Sequence, residues 1–172
     1  MLIQINDELV FDCPLNEFEI VKDIMRNIGD TNLEEIIWPD NLDTSNVIDM
    51  SYLFANCNNL SIIDVSSFDT SSVENMKYMF ASTKVENLDL SNFSTSNVIN
   101  MFGMLFGCTK LNTIYAYNKF ITDNVTVSTN MFYGDNNLVG GNGTTYDSSY
   151  IDKSYARIDT VDTPGYFTLK SA

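Results

Sequence analysis

A five-residue motif recurs four times along the chain, and this repeat constrains the fold more than any other feature. The motif reads DTSNV at 43–47, DTSSV at 69–73, STSNV at 94–98 and, more loosely, ITDNV at 121–125. Its valines are 26, 25 and 27 residues apart. A unit of this length cannot bury its apolar side alone, so the repeats must bury it against one another. Apolar residues in register with the valines form three columns: Leu42, Phe68, Phe93 and Phe120; Phe54, Phe80, Leu105 and Phe132; and Leu33, Leu60, Val85, Leu111 and Leu138.

Each repeat is predicted to contain one short strand and one short helix. The segments that begin at Leu33, Leu60, Val85 and Leu111 follow an L-x-x-L-x-L spacing, whose last two positions alternate as in a strand. Val47, Met50 and Phe54 and their equivalents follow the i, i+3, i+7 spacing of a helical stripe. We therefore predict an α/β repeat solenoid: a right-handed, leucine-rich-repeat-like stack of short parallel strands and short helices.

The two ends of the chain differ from the repeats and are predicted to cap them. Residues 1–32 form the N-terminal cap, with a hairpin over 2–11 and an amphipathic helix over 16–28 that begins near Asn16 and stops at Gly29. Four repeats occupy 33–137. Residues 138–172 form the C-terminal cap, in which 155–158 and 165–169 are predicted to pair as a terminal hairpin.

The repeats resemble those of a known family. The phrases FDTSSVENMKYMF at 68–80 and LDLSNFSTSNVINM at 88–101 are similar to the 26-residue repeats of the BspA-like leucine-rich-repeat proteins, and the tail at 136–169 resembles the segment that closes such arrays. The resemblance implies a surface or secreted protein that mediates adhesion or protein binding. No signal peptide follows Met1, so export is expected only if the chain is a piece of a longer exported protein. Similar arrays occur in phage proteins, which makes a structural or receptor-binding virion component the alternative.

Composition disfavours several other functions. The chain has 23 acidic and 9 basic residues, a formal net charge of -14 and no histidine. Nucleic acid prefers a basic surface, and the chain has no apolar run long enough to insert into a membrane. Without histidine there is no Ser-His-Asp or Cys-His machinery and no His-ligated metal. We expect a non-enzymatic protein with a protein ligand, without cofactor or metal.

Outward-facing columns of the repeats supply the predicted ligand-contact face. Tyrosine is enriched at interfaces because it offers contact area and a polar tip. Asp64 and Asp89 are one repeat apart, as a retaining glycosidase pair could be, but the repeat itself generates this column and leaves it solvated. The glycine-rich turn 140–143 partly resembles a calcium-binding turn but has Thr145 where an aspartate is needed. The predicted contact residues are Asp64, Asp89, Tyr115 and Tyr117 on the strand side, and Tyr52, Tyr78 and Phe102 on the helix side.

Three cysteines, Cys13, Cys57 and Cys108, fit neither a zinc motif nor a disulfide framework. Cys57 and Cys108 occupy the same position two repeats apart. Their Cα atoms are then roughly 10 Å apart, too far for a disulfide. We predict that both are unpaired and buried.

Overall fold

Two small sheets contain nearly all the regular structure. The computed structural model describes residues 2–5, 8–11, 35–38 and 42–170. In the first sheet, β1 (Leu2–Ile5) pairs antiparallel with β2 (Glu8–Phe11), which pairs parallel with β3 (Glu35–Ile37). In the second sheet, β4 (Asn87–Asp89), β5 (Thr113–Ala116) and β6 (Phe167–Leu169) are all parallel, in that order. The remainder of the described chain is mostly turns.

The predicted α/β solenoid of strands and helices is wrong. The described residues contain no α-helix, only one 3₁₀ turn at Lys153–Tyr155. The residues five and nine positions after each motif valine have positive φ, which no right-handed helix accommodates. These residues are Tyr52, Asn56, Tyr78, Ser82, Gly103, Gly107, Asn130 and Gly134. The segments whose i, i+3, i+7 spacing predicted a helix are therefore series of turns. The segment that begins at Leu60 was predicted to be a strand, but it is not part of any of β1–β6.

Backbone hydrogen bonds between neighbouring repeats replace the predicted helices. In the first repeat, alternate N–H groups from Met50 to Asn56 donate to carbonyl groups of the second repeat, at 2.8–2.9 Å. The N–H groups between them donate within the turn, as from Leu53 to the carbonyl of Met50. The second and third repeats continue the same alternation. Each turn thus satisfies its backbone partly by itself and partly through its neighbour, as buried backbone requires.

The DTSNV motif is explained by contacts between repeats. The buried Thr70 donates its hydroxyl to the Ser94 carbonyl at 3.0 Å and accepts the Ser94 N–H at 2.9 Å. Thr44 and Thr95 make the equivalent pair of bonds to the next repeat. Asn97, in the fourth motif position, donates its amide to the Ser71 carbonyl of the repeat before. The motif therefore holds each repeat to both of its neighbours.

Replacing Thr70 by valine tests this role of the motif. Thr70→Val keeps the shape of the side chain but leaves the N–H and C=O groups of Ser94 without their hydroxyl partner. We expect the free energy of unfolding to fall by about 1–3 kcal/mol, measured by urea denaturation. Thr109→Val, at an exposed turn position, is the matched control and should change it by less than about 0.5 kcal/mol. Equal effects would contradict the assigned role.

The predicted apolar columns form the core. Phe54, Phe80, Leu105 and Phe132 are fully buried, and the rings of Phe54 and Phe80 stack with centroids 5.3 Å apart and planes 13° apart. The methionines of the predicted helical stripe are fully buried as well. The prediction of which residues face inward is confirmed for most of the described column members, although the predicted helices are absent. Leu42 and Val47 are only half-buried, and Leu33 lies outside the described residues.

The ends agree with the sequence analysis only in part. The predicted hairpin over 2–11 is confirmed as β1 and β2. The predicted helix over 16–28 lies outside the described residues. The predicted terminal hairpin is wrong, because β6 joins β5 as a parallel strand and Ile158 bridges to Phe167 in the parallel sense. Pairing with β6 covers the edge that β5 would otherwise expose.

Candidate functional site

A continuous row of aromatic rings crosses the turns of all four repeats. Tyr78 lies at its centre, with ring centroids 5.3 Å from Tyr52, 5.2 Å from Phe102 and 5.9 Å from Phe106. Phe106 in turn stacks on Tyr133, with centroids 5.1 Å apart and planes at 14°. These rings are half-buried, except for the more exposed Tyr133. The structure therefore brings together the three residues predicted on the helix side.

The unusual backbone of the turns positions these rings. Tyr52 and Tyr78 have φ of 61° and 52°, a left-handed conformation that is costly for a bulky residue. In the third repeat the equivalent residue is Gly103, and a Cβ there would lie 2.3 Å from Cε1 of Tyr78. The missing side chain thus makes room for the Tyr78 ring to lie across the next repeat. Tyr78 is held by packing on both sides, which offsets its backbone strain.

Lys77 lies among the rings. Its Nζ is 5.5 Å from the centroid of Tyr52 and 5.8 Å from those of Tyr78 and Phe102. These distances fall within the range of cation–π attraction. Lys77 is the only charged residue in the turn positions that surround the rings.

We define the aromatic face as the residues four, five, eight and nine positions after each motif valine. The sixteen residues of this face include no aspartate or glutamate. They are Ser51, Tyr52, Ala55, Asn56, Lys77, Tyr78, Ala81, Ser82, Phe102, Gly103, Phe106, Gly107, Thr129, Asn130, Tyr133 and Gly134.

The residues predicted on the strand side form a second group, part of which is engaged within the protein. Asp89 pairs in register with Tyr115, and Lys170 lies 2.8 Å from an Oδ of Asp89 and 4.8 Å from the Tyr115 ring centroid. Burial opposes ionisation of Asp89, but its bonds to Lys170 and Ser91 outweigh this and lower the pKa of the carboxyl. The bond to Asp89 also raises the pKa of Lys170.

Asp64 and Tyr117, the other two residues predicted on the strand side, do not form a common site with Asp89 and Tyr115. Asp64 is exposed and accepts the N–H of Ser66 at 2.9 Å in its own turn, as Asp89 does with Ser91. Each aspartate thus orders its own turn. Tyr117 is about half exposed.

Two rings of the row, Phe106 and Tyr133, and the Lys77 ammonium among the rings were not predicted from the sequence. The turns were predicted as helices, in which position eight after the valine, that of Phe106 and Tyr133, is not singled out. A signal was present, because glycine or asparagine occupies five of the eight positions five and nine residues after the valines. Such residues tolerate positive φ. Their four-residue spacing indicates paired left-handed turns.

A buried column of polar and thiol side chains lies beneath the turns. It consists of Cys57, Thr83, Cys108 and Asp135, one from each repeat. Cys108 donates its N–H to Oδ1 of Asp135 at 2.9 Å and its thiol to the Phe80 carbonyl at 3.1 Å. The predicted absence of a Cys57–Cys108 disulfide is confirmed. Cys13 lies outside the described residues.

Asp135 is buried without a full set of partners. Its Oδ2 has no hydrogen-bond partner among the described residues. Burial raises the pKa of the Asp135 carboxyl, and the hydrogen bond from the Cys108 N–H opposes this rise without cancelling it. Burial, together with the nearby Asp135, raises the pKa of the Cys108 thiol as well. The column therefore holds neutral groups.

The described residues contain no cluster of three or more cysteine, aspartate or glutamate side chains that could hold a metal ion. In the same part of the chain, no helix has the length and apolar character needed to cross a membrane.

Comparison with known proteins identifies the family. Residues 19–142 match the family described as "Mycoplasma protein of unknown function, DUF285". The match covers most of the chain, and the chain belongs to this family. The assignment to the BspA-like leucine-rich repeats that the motif suggested is therefore wrong, because the family found is a different one. No curated protein and no solved structure matches the chain.

Proposed function

We propose that the protein is a non-enzymatic protein-binding module and that the aromatic face is its contact surface. The observation that carries the proposal is the absence of acidic residues from this face in a chain with 23 of them and a net charge of -14. Interface cores are depleted in aspartate and glutamate and enriched in aromatic residues. The face has this composition.

The chemistry of the face indicates the kind of partner. Lys77 provides one positive charge at the centre of rings that are otherwise apolar. A protein surface with apolar side chains around one carboxylate would complement it. The strongly negative charge of the rest of the chain disfavours a partner that is acidic throughout. As Lys77 is the only charged residue of the face, the face offers no acid–base pair for catalysis.

Whether the protein binds its partner at a cell surface or within a virion stays a prediction. Adhesion at a cell surface and attachment within a virion both require protein contacts of this kind. Neighbouring genes distinguish them: an anchor domain downstream favours the surface, and adjacent head or tail genes favour the virion.

Site-specific crosslinking tests the proposed surface. A photoreactive phenylalanine analogue replaces Phe106 in the face or Val161, a highly exposed residue outside it. We expect a protein adduct from position 106 and none of the same mass from position 161. The captured protein is then purified and its affinity measured by calorimetry.

Two charge reversals make the test specific. Lys77→Glu should weaken binding of the captured protein by at least about tenfold, because truncating or reversing a desolvated charge costs more than 1.4 kcal/mol. Lys110→Glu alters net charge equally at an exposed position outside the face and should change affinity less than about twofold. Equal losses, or the same adduct from both crosslinking positions, would overturn the proposal.

A further inference from the structure

A separate groove opens where the last repeat meets the C-terminal segment. Its volume is about 750 Å³, within the range of small-molecule sites. None of its lining residues belongs to the aromatic face. Hydroxyl, amide and carboxylate side chains line it together with tyrosine rings, among them Asn136, Thr144, Asp147, Ser148, Tyr150 and Tyr155.

Tyrosine rings form one side of the groove. Tyr150 stacks on Tyr155 with centroids 4.3 Å apart and planes at 21°, and 43% of its surface remains exposed. Tyr155 lies 5.0 Å from the buried Tyr166. One face of Tyr150 is thus backed by a cluster that reaches the core, while the rest of the ring lines the groove.

The polar walls are held in place before any ligand arrives. The Tyr166 hydroxyl accepts the Asp147 N–H at 3.0 Å and donates to the Asp147 carbonyl at 3.2 Å. Asp147 accepts the Ser149 N–H at 2.8 Å. These bonds fix the segment that carries Asp147 and Tyr150. A pre-formed site loses less entropy on binding.

Gly143, at the end of the glycine-rich turn, and the adjoining Thr144 also line the groove, and the carboxylate of the buried Asp159 fixes this turn. Asp159 accepts the N–H groups of Asn142, Thr144 and Gly165 at 2.8–3.1 Å and the Thr144 hydroxyl at 2.6 Å. A Cβ on Gly140 would lie 2.2 Å from the Gly165 carbonyl oxygen, so only glycine fits there. The turn directs N–H groups toward Asp159.

We infer that this groove binds a neutral saccharide. The C–H faces of a pyranose pack on an exposed tyrosine ring, and its hydroxyl groups pair with carboxylate, amide and hydroxyl side chains like those of Asp147, Asn136 and Ser148. The lining residues include one carboxylate and no lysine or arginine, which disfavours acidic sugars. Glycosidic cleavage generally needs two carboxylates, and the lining residues supply only Asp147. The site therefore binds its saccharide without cleaving it.

Titrations with defined sugars test the inference. The ¹⁵N-labelled protein is titrated to 10 mM with the neutral trisaccharides maltotriose, cellotriose and triacetylchitotriose, and with sialyllactose as an acidic comparison. We expect at least one neutral sugar to shift the amide resonances of residues 144–150, with a smaller response to sialyllactose. No shift with any neutral sugar, or shifts confined to other residues, would overturn the inference.

Variants separate stacking from the folding of the segment. Tyr150→Ala should weaken binding of the responding sugar at least about fivefold, whereas Tyr150→Phe, which keeps the ring, should retain most of it. Asp147→Asn, which keeps the side-chain shape, should weaken binding without altering the thermal midpoint. Tyr117→Ala, at a tyrosine of similar exposure that lies outside the groove and outside the aromatic face, should bind like the unmodified protein. Unchanged affinity in both Tyr150→Ala and Asp147→Asn would refute the site.

Discussion

Phe80→Ala is expected to lower the free energy of unfolding by about 3–5 kcal/mol, the range for removing a fully buried phenylalanine. Phe80 has no exposed surface. Its ring stacks on Phe54 in the repeat before and lies 6.4 Å from Phe93. The substitution removes a ring that packs between the first and second repeats, so the cavity cannot close without moving both.

Chemical denaturation measures this effect. Tyr117→Ala, at a residue about half exposed, is the control and should change the free energy of unfolding by no more than about 0.5 kcal/mol. An unchanged midpoint for Phe80→Ala would mean that the register of the repeats is misassigned. A loss far below that range would mean that the site collapses on truncation.

Burial was predictable from the sequence because it depends on the period of the repeat. The 25–27-residue spacing places Phe54, Phe80, Leu105 and Phe132 at equivalent positions. Equivalent positions face the same way in any arrangement that joins neighbouring repeats, whatever the conformation between them. The columns were therefore correct even though the fold class was not.

The helices were wrongly predicted because apolar spacing does not distinguish a helix from a series of turns. Val47, Met50 and Phe54 fit a helical stripe, but Tyr52 and Asn56 adopt positive φ and reverse the chain locally. The first repeat taken alone hides the positive φ at Tyr52, because tyrosine rarely adopts such a conformation. The four repeats compared together reveal it, since glycine and asparagine occur at the equivalent positions.

The candidate site was predictable only where it followed a column. Tyr52, Tyr78 and Phe102 were predicted from outward positions of the repeat, and the Tyr78 ring does contact the rings of the other two. The groove lined by Tyr150 and Tyr155 could not be predicted, because its walls come from the irregular segment after the last repeat. Contacts such as that between Tyr150 and Tyr155 depend on tertiary packing that no repeat period encodes.

The buried Asp135 could have been identified from the repeat. Its equivalents in the first three repeats are Cys57, Thr83 and Cys108, small groups suited to a buried column. A carboxyl group in the same column must either find partners or remain protonated. Its Oδ2 has no partner among the described residues, so the second outcome applies.

Protonation of Asp135 should make stability depend on pH. Burial raises the pKa of this carboxyl to about 9, whereas in the unfolded chain it is about 3.9. A group with a raised folded-state pKa contributes its full stabilisation below the unfolded-state pKa and loses it as pH rises toward the folded-state pKa. Its contribution to the free energy of unfolding should therefore fall by about 1.4 kcal/mol per pH unit across this window.

Asp135→Asn isolates this contribution, because the amide keeps the shape of the side chain and an acceptor for the Cys108 N–H but does not ionise. We expect the variant to be more stable than the unmodified protein at pH 8 and to lose this advantage toward pH 5, measured by urea denaturation at pH 5, 6.5 and 8. Asp123→Asn removes the same charge from an exposed turn and should not reproduce the trend. A difference between Asp135→Asn and the unmodified protein that is constant with pH would show that Asp135 does not gain a proton on folding. The carboxyl would then be ionised in the folded protein.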